Sequence, residues 1–265
     1  MNIVLFSEKE NGFLPAADTR TRHICDILKK KTGDSFEAGI ENKTAGTALI
    51  TAIDKTGLYF TFTEKTEGQK PFPVDLIIGF PRPIQLKRLL RDVSSLGVSR
   101  IFLTGTELGE KSYMSSKLME RGAVYAALKE GSVQAKSAHV PFCTVYPSTE
   151  KCLSALGSNK DIFVCLDNAQ PQMSLSTFLS QKLKDKKYRE DAAPSGTKAV
   201  QNCSARQSGI RITAAIGSER GWSERERNLF KQKGFTLCSM GERVLRTETA
   251  CTAATVIILQ ALGVL

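Results

Sequence analysis

The segment Gly217-Ser218-Glu219-Arg220-Gly221-Trp222 lies between an apolar run, Ala214-Ala215-Ile216, and Ser223-Glu224-Arg225-Glu226. The last four residues have the Ser-x-x-Glu spacing of a capping box, which predicts a helix start. A strand that ends in glycine and enters a capped helix turns backbone N–H groups toward a ligand. A second such turn, Met240-Gly241-Glu242-Arg243-Val244-Leu245-Arg246-Thr247, follows Phe235–Ser239 and precedes a small-residue helix expected over Glu248–Ala261. Ligands of α/β sheets sit outside the carboxyl ends of strands, so both turns are expected to line one pocket. The spacing Gly217-x-x-x-Gly221 is neither the dinucleotide fingerprint nor a P-loop, and no Lys-Ser/Thr follows to hold Mg²⁺. By spacing alone, glycines needed only for tight turns are the better reading.

The elements that must hold these turns are read from the apolar pattern. Runs at Val74–Phe80, Arg100–Thr104, Phe142–Tyr146, Ile162–Leu166, Ile210–Ile216 and Phe235–Met240 lack strict polar alternation, and helical patterns separate most of them. That is the signature of a parallel sheet covered on both faces. In the helix expected over Ile84–Gly97, Leu86, Leu89, Leu90, Val93 and Leu96 share one stripe while Lys87, Arg88 and Arg91 gather away from it. A solvated face and an RNA-contacting stripe explain those three cations equally well. The first segment is β-rich, with runs at Ile3–Phe6, Ala48–Ile53 and Leu58–Thr63 and one helix expected from about Arg20 to Lys30. Lys70-Pro71-Phe72-Pro73 makes a stiff junction, which sets expected domains of 1–71 and 72–265. Lys184–Ser208 is polar, aperiodic and too long for an ordinary connection, and reads as a flexible insertion.

The chain has 265 residues, 41% of them apolar and 24% charged, which excludes a disordered chain or a disulfide miniprotein. Its net charge of +10 is unevenly placed: residues 1–70 carry ten Lys/Arg and ten Asp/Glu, so the whole excess lies beyond Lys70. Clustered basic residues favour a polyanion partner. Seven cysteines without a CxxC pair, and two distant histidines, leave no metal ligand set. The cysteines are expected as small core residues in a reducing compartment. No signal peptide and no membrane-spanning stretch are read from the sequence, so a cytoplasmic protein is expected.

At the two turns the chain resembles the 16S ribosomal RNA uridine-N3 methyltransferases of the SPOUT superfamily (the RsmE family). The family's loops read approximately GPEGGFSxxE and LGxRILRxETA. Here they stand as Gly217-Ser218-Glu219-Arg220-Gly221-Trp222-Ser223-Glu224-Arg225-Glu226 and Met240-Gly241-Glu242-Arg243-Val244-Leu245-Arg246-Thr247-Glu248-Thr249-Ala250. The family's HIxxVLRxxxGD pattern stands as His23-Ile24-Cys25-Asp26-Ile27-Leu28-Lys29-Lys30-Lys31-Thr32-Gly33-Asp34, and its ELGV as Ser95-Leu96-Gly97-Val98. Ser218 replaces the family's proline and Arg220 its following glycine. Glu130-Gly131-Ser132-Val133-Gln134 stands where the family has EQxxR.

The resemblance implies a small PUA-like barrel domain followed by an α/β SPOUT domain whose C-terminal part is a trefoil knot. It implies S-adenosylmethionine as cofactor, held by Leu166, Ile216, Gly217, Glu219, Gly221, Met240, Gly241, Val244 and Leu245. It also implies a homodimer acting on 16S rRNA, within the small ribosomal subunit. Uracil N3 must lose its proton before it is nucleophilic, so the protein must favour the anionic base in line with the methyl group. Arg246 is assigned to the uracil anion, with a phosphate or carboxylate clamp or a bridge between subunits as the alternatives. Glu248 could take the proton, but its place early in a helix favours a charge set against the helix dipole. RNA contacts are expected from Lys29, Lys30, Lys31, Lys87, Arg88, Arg91 and Arg220. A non-catalytic or differently targeted RNA-binding relative is the alternative. A nucleotide-dependent oxidoreductase would need a glycine fingerprint after an early strand, which the sequence lacks.

Overall fold

The computed structural model describes residues 2–120, 122–157, 161–190 and 210–265. The chain forms two compact units, one of Met1–Lys70 with Leu128–Val140, the other of Pro71–Ala127 with Pro141–Leu265.

The first unit holds a five-stranded sheet ordered β1-β3-β4-β5-β2, from β1 (Val4–Phe6), β2 (Phe13–Pro15), β3 (Ser35–Ile40), β4 (Thr44–Ile53) and β5 (Gly57–Thr66). Period-two alternation along these strands sends Phe36, Ala38, Ala48, Ile50, Leu58 and Phe60 into one core with Phe6, Leu14 and Ile24. The expected helix from Arg20 to Lys30 is shorter. Asp18 caps α1 (Thr19–Arg22) by accepting from the Arg20 N–H at 2.8 Å, and a single π turn over His23–Ile27 follows. The turn closes at Leu28, whose N–H reaches His23 O at 2.9 Å, and Lys29 then takes the left-handed conformation (φ +53°) that ends a helix. Lys29, Lys30 and Lys31 therefore sit in a turn, not along a helix face.

The second unit is built on a seven-stranded sheet in which every pair is parallel. Its strands are β6 (Val74–Gly79), β7 (Arg100–Thr104), β8 (Phe142–Tyr146), β9 (Ile162–Leu166), β10 (Met173–Ser174), β11 (Ile212–Ile216) and β12 (Thr236–Ser239). They are ordered β10-β12-β9-β11-β6-β7-β8. Its helices are α2 (Pro83–Ser95), the first residues of α3 (Ala123–Gln134, which passes into the first unit at Leu128), α4 (Thr149–Ala155), α5 (Leu175–Glu190), α6 (Glu224–Gln232) and α7 (Thr247–Ala261). β6 and β11, the central strands, are buried along their whole length, as the unbroken apolar runs require. From β6 the chain first builds outward through β7 and β8, then returns to fill the other side, where β11 enters between β9 and β6. The reversal opens crevices at the carboxyl ends of β9, β11 and β12.

Proline at the first position of α2 suits a helix start, and its core stripe of Leu86, Leu89, Leu90 and Val93 is fully buried. Lys87 and Arg88 are exposed, whereas Arg91 is half-buried and engaged within the fold. Residues 184–190, expected to open a flexible insertion, are instead the end of α5, which continues to Glu190. Lys, Arg and Glu are good helix formers even without an apolar period. The rest of that insertion lies outside the described residues. Of the cysteines, Cys152, Cys165, Cys238 and Cys251 are buried, and burial pushes the Cys152 thiol up to about 12. No described helix is long and apolar enough to cross a membrane.

Candidate active site

The loop after β11 is pinned at nearly every residue. Gly217 runs so close to Gly221 that a Cβ on Gly217 would stand 2.9 Å from the Gly221 Cα. Ser218, which replaces the family's proline, is buried; its hydroxyl meets Thr106 Oγ1 at 3.0 Å and its carbonyl accepts from the Gly221 N–H at 2.8 Å. Glu219 accepts from the Arg82 N–H at 2.9 Å, tying the loop to the start of α2. Trp222 is 1% exposed and its indole N–H donates to Leu166 O at 3.2 Å. The predicted capping box is present: Ser223 Oγ accepts from the Glu226 N–H at 3.1 Å, and the Glu226 carboxylate accepts from the Ser223 N–H at 2.9 Å. The same buried carboxylate accepts from Thr149 Oγ1 at 2.6 Å and from the Glu107 N–H at 3.1 Å, as a buried charge requires.

The second loop joins the first through Thr247, whose hydroxyl donates to Gly217 O at 3.3 Å. Between the two loops and the end of β9 lies a cavity of about 250 Å³. All the residues assigned above to the cofactor line it except Gly241, which instead takes φ +112° and makes the turn. Leu166, Ile216, Met240, Val244, Leu245 and Ala250 give it an apolar wall. Asp167, at the end of β9, is 6% exposed; it accepts from the Ala169 and Gln170 N–H groups and from Arg227 Nε at 2.8 Å. A concave apolar site with a few fixed polar groups is the usual form of a small-molecule pocket.

Arg246 and Glu248 do not line that cavity. They line a neighbouring one of about 360 Å³, which shares Glu219, Val244 and Leu245 with the first and adds Arg82 and Gln85 from the start of α2. Arg246 is exposed at the N-cap of α7, and Glu248 is half-buried in its first turn, where a carboxylate is favoured by the helix dipole. Gln85 Oε1 is buried here without a hydrogen-bond partner. Among the described residues, Arg82, Arg220, Arg243 and Arg246 make no side-chain hydrogen bond or ion pair, and all four line one or both cavities. Other arginines of this unit are paired: Arg100 and Arg211 on the buried Asp75, and Arg227 on Asp167. No group of three His, Cys, Asp or Glu among the described residues could hold a metal ion.

Comparison with known proteins bears directly on these two loops. The family described as an RNA methyltransferase domain matches residues 68–259. The ribosomal RNA small subunit methyltransferase E of Treponema pallidum (strain Nichols) is 40% identical over 98% of this chain and 91% of its own length. The chain belongs to the ribosomal RNA small subunit methyltransferase E family. A second member, methyltransferase E 1 of Borreliella burgdorferi, is 28% identical over 97% of each chain. The crystal structure of the family's Neisseria gonorrhoeae member, bound to S-adenosyl methionine, superposes with a TM-score of 0.73 at 19% identity, covering 98% of this chain and 97% of that one. That match shows a shared fold.

Several site residues of this family member escaped the sequence reading. Asp167 and Arg227 could have been found by treating the end of β9 like the other strand ends. Arg82 and Gln85 carried no local signal, because they reach the site only through the pairing of β11 with β6.

Proposed function

We propose that the chain methylates N3 of a uridine in the 16S rRNA of the small ribosomal subunit, with S-adenosylmethionine as methyl donor. The observation that carries this reading is the convergence of both family loops on one cavity in a chain 40% identical to a ribosomal RNA small subunit methyltransferase E. The cavity suits the donor: its apolar wall fits a purine, and the glycine pair lets the backbone close in where a side chain would fill the space. Bound S-adenosylmethionine supplies a methyl group already activated on sulfur. Leu166, Ile216, Met240 and Leu245 hold the adenine, and the loop backbone at Gly217 and Gly221 orients the rest. In the adjoining cavity Arg246 stabilises the N3-deprotonated uracil, and Glu248 receives the N3 proton.

The strand order, with β11 inserted between β9 and β6 ahead of the loop and α7, supports the trefoil knot of the SPOUT fold. The five-stranded sheet of the first unit supports a PUA-like RNA-binding barrel over 1–71, followed by the methyltransferase domain over 72–265. Ile84 is 81% and Val244 82% exposed near the reaction cavity, which supports a homodimer covering that face. The protein would work in the cytoplasm, where the ribosomal subunit is.

Labelled donor incubated with small ribosomal subunits, followed by mapping of the modified base, tests the reading; label at N3 of one uridine is expected, and no label on any uridine overturns it. Reversal of Lys87 and Arg88 to glutamate tests the basic stripe of α2. RNA affinity should fall and the slope of log affinity against log salt should flatten by roughly one unit per lost phosphate contact. An unchanged slope leaves those two residues as a solvated face.

A further inference from the structure

Beside the reaction cavity lies a smaller cleft of about 140 Å³, with Arg82, Tyr113 and Arg220 in its lining. It shares Arg82 and Glu219 with the cavity of Arg246 and Glu248, so the two are consecutive along the protein surface. Tyr113 stands on a short 3₁₀ turn, Lys111–Ser115, fixed by its own N–H donating to Glu110 O at 3.1 Å. Its hydroxyl makes no hydrogen bond among the described residues, and Leu108 beside it is 39% exposed. The Arg82 backbone is held by Glu219 while its guanidinium is left without a partner. The cleft's two carboxylates each accept through one oxygen, Glu219 from the Arg82 N–H and Glu110 from Ser112, with Ser112 Oγ at 3.2 Å.

This combination has a chemical meaning. Unpaired guanidiniums match phosphate oxygens in a forked geometry that ammonium groups lack. A tyrosine ring stacks an unpaired base of any sequence. A free anion would use the arginines and ignore the tyrosine and leucine. A nucleotide uses all of them. A uridine turned into the reaction cavity carries its neighbour along the chain to the next opening.

We infer that this cleft binds the nucleotide adjoining the target uridine, with the base against Tyr113 and the intervening phosphate on Arg82. The inference rests on the proposed rRNA methyl transfer. Tyr113 and Arg82 are positioning residues, since neither lines the donor cavity.

The test is single-turnover methyl transfer to a short RNA carrying the target, at saturating S-adenosylmethionine. The substrate is prepared with an abasic site at each neighbour of the target in turn, and separately with a methylphosphonate at each flanking phosphate. For wild type, one abasic position should weaken RNA binding by about tenfold. Tyr113→Ala should already show that loss and lose little more with the abasic RNA, and Tyr113→Phe should behave as wild type. The methylphosphonate at one flanking phosphate should likewise cost wild type and spare Arg82→Gln. Donor affinity should be unchanged in every variant. Equal penalties in wild type and variants at both neighbours overturn the inference while leaving the methyl transfer intact. Wild type that transfers no methyl either to these RNAs or to small ribosomal subunits overturns the proposed function, and the inference with it.

Discussion

Between β11 and α6, Ser218, Glu219, Gly221, Trp222 and Ser223 each make a hydrogen bond that fixes the backbone or the side chain. Between β12 and α7 the pattern is reversed. Gly241, Glu242, Arg243 and Val244 are exposed and make no side-chain hydrogen bond among the described residues, and the segment is anchored through Thr247 at its far end. The first loop is a preformed wall, whose ordering entropy is spent at folding instead of at binding. The second can conform to what lies against it. It also carries two of the unpartnered cations, Arg243 and Arg246, where the first loop carries one, Arg220.

The glycines give the largest contrast. Gly217 is needed for space, because its Cβ would meet Gly221 backbone at 2.9 and 3.0 Å. Gly241 is needed for conformation: nothing lies within 4 Å of its Cβ, but its φ is +112°. Gly217→Val should therefore abolish S-adenosylmethionine binding, measured by calorimetry, while the far-UV spectrum is kept. Gly241→Ala should weaken binding by strain alone, on the order of 1–3 kcal/mol. Equal losses in the two variants would break the comparison.

Trp222→Ala comes next. The ring is 1% exposed, packs edge-on against Phe230 with centroids 4.6 Å apart and bonds Leu166 O, so its removal leaves a void and an unpaired carbonyl. Denaturant unfolding should show a loss of about 3–5 kcal/mol. A loss under about 1 kcal/mol would mean that the first loop is not held by its tryptophan. Arg246→Ala, on the other loop, should leave stability within about 0.5 kcal/mol, because the side chain is exposed and unpaired. Single-turnover methyl transfer should instead fall by roughly two orders of magnitude, about 3 kcal/mol of transition-state stabilisation. Transfer at the wild-type rate would remove Arg246 from the chemistry.

Much of this site was legible in the chain. Apolar runs located β7, β8 and β9 to the residue; β7 and β9 are interior strands with little polar alternation to blur their ends, whereas β8 is an edge strand whose apolar residues are largely exposed. The Ser223–Glu226 box and the two glycine turns stood out because each is a local device whose residue types are set by backbone geometry. Three features were not legible. The π turn at His23–Ile27 depends on a left-handed Lys29, a conformation lysine does not advertise. Residues 128–140 pack with the first unit, so a boundary drawn from the Pro71 junction could not contain them. Arg82 and Gln85 join the site through strand pairing between residues far apart in sequence, which no local pattern encodes.

The smallest effect tests the comparison most closely, because it asks whether a single hydroxyl separates the two loops. Ser218 is buried and its Oγ lies 3.0 Å from Thr106 Oγ1, which couples the first loop to the segment after β7. Ser218→Ala removes that bond and leaves the Thr106 hydroxyl half-buried without its partner, a loss of about 1 kcal/mol in stability. Val244→Ser changes a side chain that is 82% exposed in the second loop and should move stability by no more than about 0.5 kcal/mol. The same pair should differ in amide exchange. Ser218→Ala should speed exchange at the Gly221 N–H, which donates to Ser218 O, whereas Val244→Ser should leave its own loop as fast as before. If both substitutions cost the same in stability and neither alters exchange at Gly221, the hydroxyl contact does not hold the first loop, and its order comes from Trp222, the capping box and the Glu219 bond to Arg82.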